Sequence, residues 1–180
     1  MIIDADLGAA PWDVFHTGVS DLTGIGVGTV IILTGAALLL VWIPLRETPG
    51  LGTILNAVEI GLVVALVLPI VPQPDNLPAR LVMMVSGVVL IAIGSAAYIG
   101  AGLGPGPRDG LMTGIAKRGI SIRLARTAIE VSVLAVGVAL GGAIGLGTAV
   151  FALGIGPLVQ LFLPHLTMQP RTELATESTR

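Results

Sequence analysis

The residues of this chain that could do chemistry are a few acidic side chains that stand in apolar sequence. Asp13 and Asp109 occupy the same place in two copies of a motif, G-x-x-P-x-D-x-x-x-x-G, which reads GAAPWDVFHTG in the first copy and GPGPRDGLMTG in the second. Glu59 and Glu130 lie within long apolar stretches. Because ionisable groups in apolar surroundings are costly, these residues are candidates for contact with an ion, a proton or a polar solute.

Each copy of the motif predicts the start of a short helix. Pro11 and Pro107 fit the first helical position, where the missing N–H of proline would be unpaired in any case. The acidic residue two positions later lies in the first turn, where the helix dipole favours negative charge. Gly8 and Gly104 permit a close approach of the chain to each helix start. We expect both helices to run about ten residues, to the final glycine of each motif, which is too short to cross a bilayer.

Two interpretations of the motif pair remain open. Asp13 and Asp109 could serve only to stabilise the helix starts, with both short helices lying flat on the surface. Alternatively, the short helices could be half-helices that enter the membrane from opposite faces. Such pieces persist at membrane depth only when they are buried in protein or line a cavity, and transporters use them to build a substrate site near the midplane.

Two further acidic residues have polar neighbours on the same helical face. Asn56 lies one turn before Glu59 and could hydrogen-bond to it. Glu59 could couple transport to a proton or cation, contact a substrate, or pack against a polar group on another helix. Glu130 has Arg126 four residues before it, so a local ion pair is the interpretation that we favour there.

Residue types and motifs that would point to catalysis are missing from the sequence. The chain has no cysteine and two histidines, which excludes thiolate metal sites and a histidine-rich cluster. It carries neither a phosphate-binding loop nor a G-x-S-x-G nucleophile turn. His16, three residues after Asp13, makes too weak a pair to indicate a catalytic site. We therefore predict a protein that is not an enzyme, with no catalytic residue, no metal and no cofactor.

The composition is that of a membrane protein. Hydrophobic residues make up 54% and charged residues 11% of the sequence, whereas a soluble domain carries about a quarter charged residues. The same composition argues against the binding of nucleic acid. The expected partners are the lipid bilayer, an unknown small solute or ion, and a second copy of the chain in a homodimer.

Five stretches are long and apolar enough to cross a bilayer, which needs roughly 20 mostly apolar residues. They are residues 24–43, 51–70, 81–102, 122–141 and 146–163. The predicted fold is therefore all-α: a polytopic integral membrane protein with five transmembrane helices and two short half-helices. Trp12 and Trp42 fall at the predicted membrane interfaces, where aromatic anchors belong.

The order and spacing of the motifs indicate an internal repeat. The two motif copies are 96 positions apart, and a second pair of segments, GLGTILNAVEIG and GLGTAVFALGIG, follows at an offset of 95. Residues 1–70 form the first unit, residues 71–166 the second, and residues 167–180 a disordered cytoplasmic tail. Each unit would hold three spans, an odd number, so the second copy must be inverted in the membrane. The first unit shows no leading helix, so we expect either a start further upstream or an incomplete unit.

Charge placement gives the expected orientation. With five spans, eight of the nine basic residues fall on one face, and Arg80 is the exception. Because cytoplasmic loops are rich in Lys and Arg, we place the C-terminus inside the cell and the N-terminus outside. The first motif, which is acidic, then lies at the outer face, and the second motif, which is basic, lies at the inner face.

Four segments together resemble the YczE-like membrane proteins of bacteria, which we expect to be related to the YitT group: LGAAPWDVFHTGVS, VWIPLRETPGLGTILNA, GAGLGPGPRDGLMTGIAKRGISIRLARTAIEV and ALGIGPLVQLF. The resemblance covers residues 7–165 and implies a multi-pass protein of the bacterial cytoplasmic membrane. Members of that family usually begin with an additional hydrophobic segment, and this chain departs from the pattern there. The resemblance implies no catalytic residue.

Two functions agree with these observations. The first is a small-solute or ion transporter-like protein, with a site at the interface of the repeats around Asp13, Asp109 and Glu59. The alternative is a membrane accessory or regulatory protein that transports nothing and acts on a partner complex.

Overall fold

The computed structural model describes residues 2–167, and this part of the chain consists of α-helices joined by short turns, without a β-strand. Seven helices follow one another in it: α1 (Pro11–Thr23), α2 (Val27–Leu45), α3 (Leu51–Val67), α4 (Leu77–Gly100), α5 (Pro107–Ala116), α6 (Ile122–Ala139) and α7 (Leu146–Leu166). The expectation of an all-α fold is confirmed. The tail predicted at 167–180 lies outside the described residues, apart from Thr167 at the end of α7.

Three of the described helices are long and apolar enough to cross a membrane: α2 and α4, each with a mean hydropathy of 2.2, and α7, with 1.9. They correspond to the first, third and fifth predicted spans. α3 is apolar but has 17 residues, and α6, with 18 residues, carries Arg123, Arg126 and Glu130. Length and hydropathy alone therefore support three of the five predicted crossings.

The outer surfaces of the helices suit a membrane location, because many large apolar side chains are exposed. Leu62 and Leu66 of α3 expose 50% and 68% of their area. Leu90 of α4 and Leu153 of α7 expose 56% and 79%. A protein in water rarely leaves so much apolar area uncovered, whereas in a bilayer the lipid chains cover it.

The two short helices begin at the prolines of the motifs, α1 at Pro11 and α5 at Pro107. α5 has 10 residues, but α1 has 13 and continues past Gly18, where the motif ends. Gly18 serves packing instead, since a Cβ there would lie 2.7 Å from the carbonyl oxygen of Gly137 in α6. Gly24 ends α1 in the left-handed conformation, with a φ of 72°, as glycine commonly does after a helix.

Two of the main helix pairs cross between the two predicted units, and two lie within one unit. α1 packs along α6, while α5, the counterpart of α1, packs on α2, the counterpart of α6. α2 also packs along α3, and α4 packs along α7. A buried cluster joins the start of the chain to α1 and α4, and it contains Ile2, Ala9, Val14 and Val88. The two units are therefore interlocked rather than separately packed.

One backbone hydrogen bond holds each motif against the other unit, and the two bonds are equivalent. The carbonyl oxygen of Leu7 accepts a hydrogen bond from the N–H of Gly147 at 2.7 Å, and that of Leu103 accepts one from the N–H of Gly52 at 3.0 Å. The two donors are 95 positions apart and the two acceptors 96, as in the sequence repeat. The GLGT segment of each unit is thus the docking point for the motif of the other unit.

The first glycine of each motif makes this docking possible. Gly8 and Gly104 have φ values of +93° and +110°, a conformation that favours glycine. A Cβ at Gly8 would lie 2.7 Å from the Cα of Gly145, and a Cβ at Gly104 would lie 3.2 Å from the Cα of Gly50. Both the turn and the close backbone approach therefore require a residue without a side chain.

Candidate functional site: a cavity between the short helices

A cavity of about 60 Å³ lies where the first turns of α1 and α5 meet α2 and α3. Its polar lining consists of Trp12, Asp13, His16, Thr34, Asn56 and Arg108. Such a volume holds a few water molecules or one small ion, and it is far below the roughly 300 Å³ of a typical small-molecule site. Because Thr34 is near the middle of α2, the cavity lies at mid-length of a helix that is long enough to span a bilayer.

α1 supplies three of the lining side chains. His16 is three residues after Asp13 and four after Trp12, so all three project toward one side of the helix. Nδ1 of His16 lies 3.9 Å from Oδ1 of Asp13, which is close but too long for a hydrogen bond. The imidazole also lies beside the rings of Trp12 and Phe15, with centroids 6.3 Å and 5.7 Å away.

Two of these side chains carry buried polar atoms without partners. Trp12 and His16 are each 5% exposed. Among the described residues, neither Nε1 of Trp12 nor either ring nitrogen of His16 has a hydrogen-bond partner. Buried polar groups in proteins are almost always hydrogen-bonded. Both side chains are among those that line the cavity.

α5 supplies a positive charge to the same cavity. The guanidinium carbon of Arg108 lies 5.7 Å from the centroid of the Trp12 ring, within the range of a cation–π contact. Trp12 is the second residue of α1 and Arg108 is the second residue of α5. Equivalent positions of the two motif copies thus meet at the cavity.

The first turn of α5 is held in place by α2 and α3. Nε1 of Trp42 donates a hydrogen bond to the carbonyl oxygen of Pro107 at 3.0 Å. The hydroxyl of Thr53 donates to the carbonyl oxygen of Pro105 at 2.7 Å, and it accepts from the N–H of Gly50 at 3.2 Å, at the start of α3. These bonds fix Arg108 relative to the cavity.

The structure brings two of the residues proposed from the sequence, Asp13 and Asn56, to the cavity. Asp109 does not line it, although it is the counterpart of Asp13. Its carboxylate instead accepts a hydrogen bond from the hydroxyl of Tyr98 in α4. The two equivalent acids therefore have different surroundings.

Glu59 and Glu130 lie away from the cavity. Glu59 is exposed on the outer side of α3, and within the described residues no hydrogen bond joins it to Asn56. Glu130 pairs with Arg126, whose Nε is 3.1 Å from Oε1, as their spacing along the helix indicates. No group of three or more His, Asp and Glu side chains in residues 2–167 is close enough to hold a metal ion.

Several residues of the site were not assigned to it from the sequence. The expectation that Trp12 and Trp42 anchor the protein at the membrane interface is wrong, since these side chains are 5% and 1% exposed. Arg108 gave no separate signal, Tyr98 lies in an apolar stretch, and His16 was considered only as a weak catalytic pair with Asp13. A usable signal was the spacing of Trp12 and His16, which places both on the face of α1 that carries Asp13.

Comparison with known proteins gives relatives without an assigned activity. Residues 1–164 match DUF6198, a family of unknown function. An uncharacterized protein of Haemophilus influenzae is 40% identical over 171 residues, which cover 94% of this chain and 78% of that protein. No solved structure matches the chain.

Two similar proteins come from Bacillus subtilis. The uncharacterized membrane protein YczE is 35% identical over 161 residues, which cover 88% of this chain and 75% of YczE. The uncharacterized protein YyaS is 29% identical over 171 residues, which cover 91% of this chain and 84% of YyaS.

Proposed function

The chain belongs to DUF6198, a family of unknown function, and we propose from its geometry that it is a transporter-like membrane protein that carries a small solute or ion. The observation that carries this proposal is the cavity between α1 and α5. Both short helices contribute to its lining, and buried polar atoms of Trp12 and His16 have no hydrogen-bond partner among residues 2–167. A cavity of this kind at the mid-length of a spanning helix is how transporters place a substrate site.

The proposed topology has five crossings, made by α2, α3, α4, α6 and α7. At 1.5 Å per residue, α3 and α6 are about 26 Å and 27 Å long, close to the roughly 30 Å of a bilayer core. Arg123 stands at the start of α6, where a long side chain can extend to the membrane surface. In this topology the protein lies in the bacterial cytoplasmic membrane, with the N-terminus outside and the C-terminus in the cytoplasm.

Contacts at the ends of the helices support an inverted repeat. Asp6, before the first motif, pairs with Arg80 at the start of α4, with 2.6 Å between Oδ2 and the guanidinium. Arg118, after α5, donates to the carbonyl oxygen of Pro44 near the end of α2 at 2.7 Å. A single crossing, α3, separates the end of α2 from the start of α4. The two short helices would therefore enter from opposite faces.

Transport would follow from movement of equivalent helix pairs. α1 packs on α6 and α5 packs on α2, so each short helix forms a pair with one spanning helix. Rocking of one pair against the other would open the cavity first to one face and then to the other, which is the general mode of inverted-repeat transporters. The solute would meet Asp13, His16 and Asn56 on its way.

Solute flux in proteoliposomes tests the proposal, with a panel of small ions and neutral solutes. We expect flux above that of protein-free liposomes for at least one solute. Asp13→Asn and Arg108→Gln should each change it by about tenfold, the effect of one hydrogen bond or contact to a charged group. Glu59→Gln and Arg123→Gln are matched controls, because both residues are exposed away from the cavity. No flux for any solute, or flux indifferent to both cavity variants, would contradict the proposal.

One observation favours the alternative, an accessory protein acting on a partner complex. Glu59 is exposed on the apolar outer side of α3, and a carboxylate in contact with lipid is costly unless another group covers it. A partner helix, from a second copy or from another protein, would supply that cover. Under this alternative, Glu59→Gln would weaken the association of the protein with its partner, while the cavity variants would be silent.

A further inference from the structure

We propose that the cavity between α1 and α5 binds a small monovalent anion, of the size of a halide or formate. This inference deepens the proposed function and rests on it, since it names the class of solute that the same cavity accepts. Four features carry it: buried hydrogen-bond donors without partners, two open helix starts, a guanidinium, and a small volume.

The unpartnered polar atoms of the side chains that line the cavity are mainly donors. The indole Nε1 of Trp12 can only donate a hydrogen bond, and the imidazole of His16 carries at least one N–H. Both side chains are 5% exposed, and none of these nitrogens has a partner in residues 2–167. A ligand that satisfies them must present acceptors, which an anion does and a metal cation does not.

The starts of both short helices lie beside the cavity, with residues of the first turn of each in its lining. Ala10 and Gly106 precede the helices, and neither provides a side-chain cap for the first N–H groups. Each start is the positive end of a helix dipole, equivalent to about half an elementary charge. The cavity therefore lies between two positive helix ends, an arrangement that favours a bound anion.

The charges around the cavity come close to balancing before a ligand binds. Arg108 contributes one positive charge and Asp13 one negative charge, while the two helix ends together add about one positive charge. The side chain of Asp13 is 25% exposed, so water screens part of its charge. Asp109 does not line the cavity and accepts a hydrogen bond from Tyr98, but its carboxylate lies in the first turn of α5 and offsets the positive end of that helix. An anion would therefore be held by the unpartnered donors and by Arg108 rather than by a net positive charge, and a volume of about 60 Å³ suits a small one.

Iodide quenching of tryptophan fluorescence tests this inference on the full chain purified in detergent. The two tryptophans of the chain are Trp12, which lines the cavity, and Trp42, which is 1% exposed. We expect quenching that saturates with iodide concentration and is reversed by chloride or formate. Arg108→Gln should raise the iodide concentration at half-saturation by about tenfold. Asp13→Asn should lower this concentration, because a repelling charge is removed. Arg123→Gln, a matched arginine outside the cavity, should leave it unchanged.

The sign of the Asp13→Asn effect separates an anion from a cation. Three results would each overturn the inference. The first is quenching that rises linearly without saturation, and the second is an equal half-saturation concentration in Arg108→Gln and Arg123→Gln. The third is weaker iodide binding after Asp13→Asn. The proposed function fails separately: saturable iodide binding without flux of any solute leaves the anion site standing and removes transport. Flux of a cation or neutral solute without saturable iodide binding would support transport and remove the anion site.

Discussion

The indole N–H of Trp42 donates to the carbonyl oxygen of Pro107 at 3.0 Å, and this bond anchors the first turn of α5 on α2. The ring of Trp42 also fills the space next to Gly110, one turn further along α5. A Cβ at Gly110 would overlap that ring, with 2.7 Å to its Cε2 atom. The position of Arg108 at the cavity thus depends on a tryptophan from a neighbouring helix.

We expect Gly110→Ala to destabilise the protein, by about 1–3 kcal/mol, because a methyl group forced into a packed site strains its surroundings. The measurement is the midpoint of thermal unfolding in detergent. Gly154→Ala is the matched control, since Gly154 lies inside α7 with nothing within 4 Å of its added Cβ; it should be neutral or slightly stabilising. Equal midpoints for the two variants would contradict the seating of α5 on Trp42.

Both docking contacts of the GLGT segments should be sensitive to an added methyl group. A Cβ at Gly52 would lie 2.8 Å from the Cβ of Leu103, and a Cβ at Gly147 would collide with the carbonyl oxygen of Gly8. We expect Gly52→Ala and Gly147→Ala each to lower the unfolding midpoint, by an amount that corresponds to about 1–3 kcal/mol. Gly156→Ala, with open space around it, serves as control. An effect at only one of the two sites would show that the repeats are not docked equivalently.

The hydrogen bond between Tyr98 and Asp109 should couple these residues energetically. A double-mutant cycle of Tyr98→Phe and Asp109→Asn, read by unfolding free energy, should give a coupling of about 1.5–3 kcal/mol, the range for a hydrogen bond to a charged group. Effects of the two substitutions that add to within about 0.5 kcal/mol would show that the residues are independent. Arg126→Gln with Glu130→Gln is a comparison pair, whose coupling should be only about 0.5 kcal/mol, as for a local helix ion pair.

The absence of cysteine from the sequence makes the topology directly testable. Asp21→Cys, at the exposed end of α1, should react with a membrane-impermeant maleimide added outside intact cells. Arg123→Cys, at the exposed start of α6, should react only after the cytoplasmic face is opened. The reason is that the acidic and basic copies of the motif belong on opposite sides under the positive-inside rule. Labelling of both cysteines from the same side would contradict the inverted repeat.

Helix starts and turns could be predicted from the sequence because their causes are local. Proline at the first helical position and an acid in the first turn act within a few residues, and α1 and α5 do begin at Pro11 and Pro107. The end of α1 was harder to predict from the sequence. Gly18 resembles a helix end in the sequence, and only its neighbour Gly137 shows that it is there for packing.

What the sequence by itself determined is an all-α, apolar chain with two copies of one helix-start motif, because composition and short-range spacing carry that information. Only the tertiary structure decided which polar groups share a cavity. α2 and α3 have apolar residues around most of their circumference, so their sequences do not reveal which face turns inward. Only the packing shows that Asn56 reaches the cavity while Glu59 is exposed. Trp12 and Arg108 are 96 positions apart, and the crossed packing of the two units is what brings them together.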